Sequence, residues 1–319
     1  SIGMNASTVD KCPVALQSCE DYGRDLLKQK IEQVGQAAGL RINPGSTALL
    51  KPNLVAAGSG PLHLACTSPD FVAAAAEWCL DHGARVVVGD SPAFGSGLMV
   101  MKACGLAEKL RPLGVKMVDF GRSRTVKLPC GMKAPVSIAA LDSDVLVNLP
   151  RVKAHNQLYV SLAVKNYFGV VSGWRKALHH AVNGDVGNRF EELLVDLPGL
   201  FSDTFTLLDG VIAMHRAGPM TGEPYPLQLI GGAIDPVALD TAVMRIIGAD
   251  YGKSRIWLEC RRRGLAGADP GRLEFPLLHP RELSAPEFIL PEQLSPVTFH
   301  PGRMLIGACR RAAAGIFKP

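Results

Sequence analysis

No two of the eight cysteines stand in a C-x-x-C pair. That absence argues against a zinc ribbon or a ferredoxin-type iron–sulfur insert, both of which need closely spaced thiolates. A disulfide framework is not needed either, because a chain of 319 residues buries roughly three quarters of its unfolded surface. Cysteines such as Cys79, in AAAAEWCLDHG, sit in apolar helical stretches where reduced, buried thiols are expected. Aromatic residues are scarce at 6%, so platforms for stacking bases are not expected. No nucleic-acid motif accompanies the Arg261-Arg262-Arg263 run, which precedes Gly264 near an expected helix end and there complements the helix dipole. No stretch approaches the ~18 unbroken apolar residues of a membrane span. The opening SIGMNASTVD lacks the charged-then-apolar pattern of a secretory signal, and residues 1–3 ahead of Met4 read as a tag remnant. Neither G-x-G-x-x-G nor G-x-x-x-x-G-K-[ST] occurs, so ordinary dinucleotide and P-loop binding have no motif behind them. These absences lead to an expectation of a soluble, cytoplasmic chain without nucleic-acid partners.

What is present is a globular composition, 47% hydrophobic and 20% charged with a net charge of +5, in which short β-rich runs alternate with helical patterns. Strands are expected at 13–18, 46–50, 85–88, 115–120, 145–149, 205–208 and 227–231. Asp21 is read as the cap of a helix ending at Gly39. Thr67-Ser68-Pro69-Asp70 opens another helix, with a hydroxyl cap, a proline in the first turn and an acid at the positive end. Asp235-Pro236 opens a third, reaching Ile247, and helical pattern returns from about Ser161. The runs 125–128 and 136–139 flank Cys130-Gly131 as a hairpin. The expected fold is α/β: a mostly parallel or mixed sheet flanked by helices, with a small β-hairpin insertion. The chain reads as one large unit over 1–319, with a possible subdivision near 120–145. A proline-rich segment at 270–301 wraps the surface and leads to an amphipathic C-terminal helix over 301–317.

In open parallel sheets, ligands bind beyond the carboxyl ends of the strands. Those ends carry turn-forming polar residues here: Lys51-Pro52-Asn53, Gly89-Asp90-Ser91, Pro150-Arg151-Val152-Lys153-Ala154-His155 and Asp209-Gly210. Lys165 and Asn166 interrupt an apolar run, where a lysine costs desolvation unless its ammonium finds a partner. Lys176, His179 and His180 follow at helical spacing on one face. Gly218-Pro219-Met220-Thr221-Gly222 is a tight loop whose amides offer an oxyanion cradle, or a plain surface turn. Asp240, one turn into its helix, faces either the site or solvent. A metal held by His155, His179 or His180 with Asp90 or Asp209 fits no standard zinc spacing. Gly89-Asp90-Ser91 also begins an esterase signature, but its D-x-x-H and any G-x-S-x-G elbow are missing.

Taken in order, KPNLV at 51–55, TSPDFV at 67–72, GDSP at 89–92, NLPRVKAH at 148–155, VKNYFG at 164–169, the Lys176 to His179 step, LDGVIAMHRAGPMTG at 208–222 and DPVALD at 235–240 resemble the family catalogued as domain of unknown function 362. Many members of that family carry a ferredoxin-like domain after the shared region. This chain lacks the cysteine run, so the resemblance does not carry a bound iron–sulfur cluster over to it. A fainter likeness is to the amino-terminal domain of nickel-pincer lactate racemases, with Thr67, His155, Lys165 or Lys176, and His179 or His180 as counterparts. That family's Gly-Thr-His-Arg-Pro segment is replaced here by GDSPAFG.

The expected site therefore has His155, His179 and Lys165 as proton-transfer groups. Lys51, Asn53, Thr67, Asp90, Ser91, Lys153, Asn166, Lys176, Asp209 and Gly218 form the binding set for a small anionic ligand or cofactor, the lysines meeting the anion and Asp90 and Asp209 orienting hydroxyls, lysines or a metal. The cofactor stays open between a metal and a phosphorylated organic molecule. Three functions compete: an enzyme acting on a phosphate- or carboxylate-bearing substrate, a redox accessory protein for a separate ferredoxin-like partner, and a non-catalytic binder of an anionic metabolite.

Overall fold

The computed structural model describes residues 11–58, 61–173 and 187–295. Its centre is a ten-stranded mixed sheet. Six strands run parallel: five in the spatial order Thr204–His215, Val145–Leu149, Thr47–Pro52, Arg85–Asp90 and Lys116–Asp119, and Arg151–His155 beside the second half of Thr204–His215. The chain first builds outward from Thr47–Pro52 to Lys116–Asp119, then returns to the other flank of Thr47–Pro52. The crevice between Thr47–Pro52 and Val145–Leu149 is thus the switch point at which α/β sheets bind ligands.

Both faces of the parallel strands are covered, as their near-continuous apolar runs require. Side chains alternate between two cores with the two-residue period of a strand. Ala48, Leu50, Val145 and Val147 pack with Leu27, Ile31 and Val34 of the Arg24–Ala37 helix and with Phe71 and Ala75 of the Pro69–Asp81 helix. Leu49 and Leu146 pack on the opposite face with Val164, Tyr167 and Leu193. The Pro236–Ile246 helix covers a third cluster containing Leu208, Leu229 and Leu239. Ser123–Lys127 and Lys133–Ser137 pair antiparallel as a separate two-stranded sheet, the expected hairpin.

Several local expectations are corrected. The first long helix begins at Arg24 with Gly23 as its N-cap, and Asp21 instead accepts from the Gly23 amide at 2.7 Å. Ser68 occupies the N-cap of Pro69–Asp81 without a capping hydroxyl bond. Residues 159–161 form a strand, and the helix after them starts at Ala163. The strand expected to stop at Asp209 continues to His215. Its first half pairs with Val145–Leu149 and Leu229–Ala233, and its second with Arg151–His155 and Glu223–Tyr225. Partners on both edges override the turn propensity of Asp-Gly.

Other expectations hold. Asp235 caps Pro236–Ile246, accepting from Val237 and Ala238 amides. Arg262 and Arg263 are held by Glu259, and Arg263 also by Asp196, so this part of the arginine run is an intramolecular ion-pair cluster. The seven described cysteines are all free. Residues 270–295 form short turns and a two-residue strand, Leu273–Glu274, paired with Cys12–Pro13. The expected C-terminal helix lies outside the described residues.

Candidate functional site

Lys51 and Asp90 end adjacent parallel strands, and their side chains meet at 2.8 Å with both fully buried. The contact is off-line for a hydrogen bond at Asp90 Oδ1, so it is held by charge. Asp90 Oδ2 accepts from the Leu54 amide at 2.8 Å. Lys51 also reaches its neighbour's carbonyl, Pro52 O, at 3.2 Å. Burial favours the neutral form of each partner, lowering the lysine and raising the carboxyl, and their mutual attraction opposes both shifts.

The backbone of Gly169 crosses directly over this pair. A methyl group there would overlap Asp90 Oδ1 and Lys51 Nζ. Gly169→Ala is expected to lose about 1–3 kcal/mol, the usual range for forced overpacking. Urea unfolding gives the check, and an unchanged midpoint would mean that the pair can step aside.

Lys153 enters from the Arg151–His155 strand and is also fully buried. It donates to Asn53 Oδ1 and, at 2.8 Å, to Ala65 O. Asn53 is oriented by a chain of amides. Its Nδ2 donates to Asn166 Oδ1 at 3.0 Å, and Asn166 Nδ2 donates to Asn148 Oδ1 at 2.7 Å and to Lys51 O. Asn148 Nδ2 donates to Ala163 O and Thr206 Oγ1. An ammonium at one end and backbone carbonyls along the way can only accept or donate in one sense, which fixes every amide in this relay. Thr67 lies beneath it, accepting from the Asn53 amide and donating to Leu149 O.

His155 Nδ1 accepts from the Gln157 and Leu158 amides, each at 3.1 Å. Two incoming N–H groups leave no room for a proton on Nδ1. The ring is therefore neutral with its proton on Nε2. Burial, together with Lys165 and Lys153, also holds its pKa well below the ordinary histidine value. His155 is thus a hydrogen-bond donor at Nε2, where a general base or metal ligand would need a lone pair.

Lys165 is the most open of the three lysines, part-exposed where Lys51 is 0% and Lys153 1% exposed. Its ammonium has no hydrogen-bond or ion-pair partner among the described residues. Burial and the nearby charge of Lys51 lower it to about 8. Burial and the charge of Lys165 lower Lys153 to about 7. The helix bearing Lys165 is anchored by Asp240, whose carboxylate accepts from the Ala163 amide at 2.7 Å and the Val164 amide at 3.2 Å. Asp240 is buried and faces this helix start, not solvent.

One cavity of about 170 Å³ brings together Lys51, Asn53, Asp90, Ser91, Lys153, His155, Lys165 and Asn166. Phe94, Phe168, Phe190 and Met220 supply its apolar wall. Five of the expected residues stand apart from it or outside the described chain, Thr67 beneath the amide relay among them. Asp209 is turned to the other side of the sheet. There it accepts from the Ser68 amide at 2.9 Å and the Tyr22 hydroxyl at 2.8 Å, so its oxygens are already used. Gly218 lies against Ala154 and accepts from the Asn156 amide at 3.0 Å. Pro219 and Met220, not an amide cradle, reach the cavity. Lys176 and His179, with His180, lie outside the described residues. Among the described residues no group of three histidine, cysteine or acidic side chains converges as a metal site. The aromatic wall and Asn148 were not anticipated. Asn148 had a signal, a lone amide in the apolar strand VLVNL, whereas the phenylalanines are indistinguishable by sequence from core residues.

An α/β sheet with a lysine-lined pocket at its switch point is the class of protein that these features define. The chain belongs to the family described as Domain of unknown function (DUF362), whose model matches residues 48–245. It is 36% identical over 280 residues to the thylakoid-associated protein sll1697 of Synechocystis sp., covering 88% of this chain and 86% of that one. Among solved structures it is similar to the lactate racemase apoprotein of Thermoanaerobacterium thermosaccharolyticum, at 14% identity and a TM-score of 0.46, covering 73% of this chain and 57% of that one. It is also similar to a Thermotoga maritima protein, at 11% identity and a TM-score of 0.39, covering 68% and 56%.

Proposed function

We propose that this protein is an enzyme that binds a small carboxylate- or phosphate-bearing molecule in the Lys51–Lys153–Lys165 pocket and moves a proton next to that anionic group. The observation that carries the reading is the charge imbalance of the cavity: among the described residues that line it, three lysines converge and Asp90 is the one carboxylate. A bound anion supplies the missing counter-charge. Lys51 and Lys153 hold the head group, His155 donates from Nε2 to an oxygen that gains charge, and Lys165 exchanges the proton. A lysine near pH 8 holds both protonation states in useful amounts at neutral pH, which supports Lys165 over His155 in that role.

A panel of small carboxylates and phosphates tests this by thermal shift and calorimetry. At least one should stabilise the protein. Lys153→Met should weaken its binding by tenfold or more, the effect of losing one charge-assisted hydrogen bond of about 1.5–3 kcal/mol. Deuterium uptake from heavy water into the bound molecule, followed by NMR, reads the proton-transfer step. Binding that is indifferent to Lys153→Met would remove the pocket from the reading, and binding without exchange or turnover would reduce the protein to a binder.

The name of the Synechocystis relative places that protein at thylakoids. Carried over to this chain, it would mean association with a membrane in place of the expected cytoplasmic location. Among the described residues no helix is long and apolar enough to cross a membrane.

A further inference from the structure

We propose, building on the anion-binding reading above, that Lys165 is a nucleophile that condenses with the carbonyl carbon of a small substrate bearing an anionic head, forming a Schiff base inside the pocket. The argument starts from the contrast among the three lysines. Lys51 is committed to Asp90 and Pro52 O, and Lys153 to Asn53 and Ala65 O. Lys165 has no partner among the described residues and yet lines the same cavity. An amine left without an acceptor, in a pocket that already holds two other cations, has its lone pair available. Desolvation and a neighbouring cation are the two ways in which proteins make lysine nucleophilic. Both act on Lys165 and bring it to about 8, so a useful fraction is neutral at physiological pH.

The steps balance. The neutral amine of Lys165 attacks the carbonyl carbon, a C–N bond forms, and the carbonyl π electrons move onto oxygen. His155 donates a hydrogen bond to that oxygen from Nε2 while keeping its proton. The oxygen takes one proton from the attacking nitrogen and a second from the ammonium of Lys153. The C–O bond then breaks, water leaves, and the nitrogen lone pair forms the C=N bond of a cationic imine. Overall, amine, carbonyl and one proton give iminium and water, with no oxidant or reductant involved. Lys51 and Asp90 keep their charges throughout. The same chemistry suits a 2-oxo acid or a phosphorylated aldehyde or ketone, since either head can sit against Lys51 and Lys153.

Reductive trapping tests the proposal on the full chain. The protein is incubated with sodium cyanoborohydride and, separately, pyruvate, 2-oxoglutarate or dihydroxyacetone phosphate, then read by intact mass and peptide mapping. Succinate and inorganic phosphate are titrated in parallel as anions that cannot form imines. The expected result is one reduced adduct per chain, on Lys165, with at least one of the carbonyl compounds. The compound that reacts identifies the carboxylate or phosphate head. Trapping should already proceed at neutral pH, where a lysine with the ordinary value near 10.4 is almost wholly protonated and unreactive. Lys165→Arg keeps the charge and should retain anion binding within a few-fold while losing the adduct. If succinate or phosphate binds and no carbonyl compound is trapped at Lys165, the Schiff base is overturned and the anion site stands. An adduct that persists in Lys165→Arg overturns it equally. If neither trapping nor anion binding occurs, this proposal and the reading beneath it both fall.

Discussion

Asp90→Ala should destabilise the protein by about 3–5 kcal/mol, the cost of leaving a buried charge without its partner. Lys51 is 0% exposed, and its only carboxylate contact among the described residues is Asp90, 2.8 Å away. Removing Asp90 leaves two outcomes for Lys51, both costly. Either its ammonium stays charged in an apolar setting, or it gives up its proton and the folded state loses that proton-binding free energy at neutral pH. The Leu54 amide also loses its acceptor. Chemical denaturation of the variant measures the loss. The double variant Asp90→Ala with Lys51→Met should recover much of it, because a buried pair replaced as a unit is often close to neutral. A single variant that unfolds at the wild-type midpoint would show that the pair is not buried together.

The second large effect is on ligand binding. Affinity for a dianion such as succinate, whose own charge is constant above neutrality, should fall roughly 500-fold between pH 7 and pH 9, a loss approaching one decade per pH unit for each lysine past its pKa. In the empty pocket burial lowers Lys153 to about 7, helped by Lys165, and lowers Lys165 to about 8, helped by Lys51. A bound anion raises both values again. Above pH 7 binding therefore takes up protons, and rising pH works against it. Calorimetry in two buffers of different ionisation enthalpy counts the protons. The empty protein should show the opposite trend. Between about pH 7 and the ordinary lysine value the unfolded chain holds more protons than the folded one, so these two groups make unfolding harder as pH rises through that window. An affinity that does not change with pH would mean that neither lysine meets the anion.

Much of the pocket could be read from residue order. Lys51, Asp90, Lys153, Lys165 and Asn166 stand out because each interrupts or ends an apolar run, and a charge in such a place needs a reason. Asp209 met the same criterion and was placed differently, since Asp-Gly is a turn signal only until two neighbouring strands capture its backbone. Thr67 opens the expected helix, yet its hydroxyl supports Asn53 from below and does not face the cavity. No local pattern could show that His155 is locked as a donor, because that depends on how the two amides after it fold back onto Nδ1. The aromatic wall was hidden for a different reason. Phe94, Phe168 and Phe190 come from three separate segments, and only the completed packing shows that one side of each faces a cavity.

The long Thr204–His215 strand carries a consequence for how the molecule is made. It joins partners from residues 145–155 on one edge to partners from residues 223–233 on the other. The pocket beside it draws on positions from Lys51 to Met220. Such non-local pairings are slow to form, because chain entropy must be lost before they contribute. The cavity can close only after this strand has docked. During refolding, recovery of ligand binding should therefore lag behind the return of helical signal, and a chain still emerging from the ribosome holds no site until its last strands arrive.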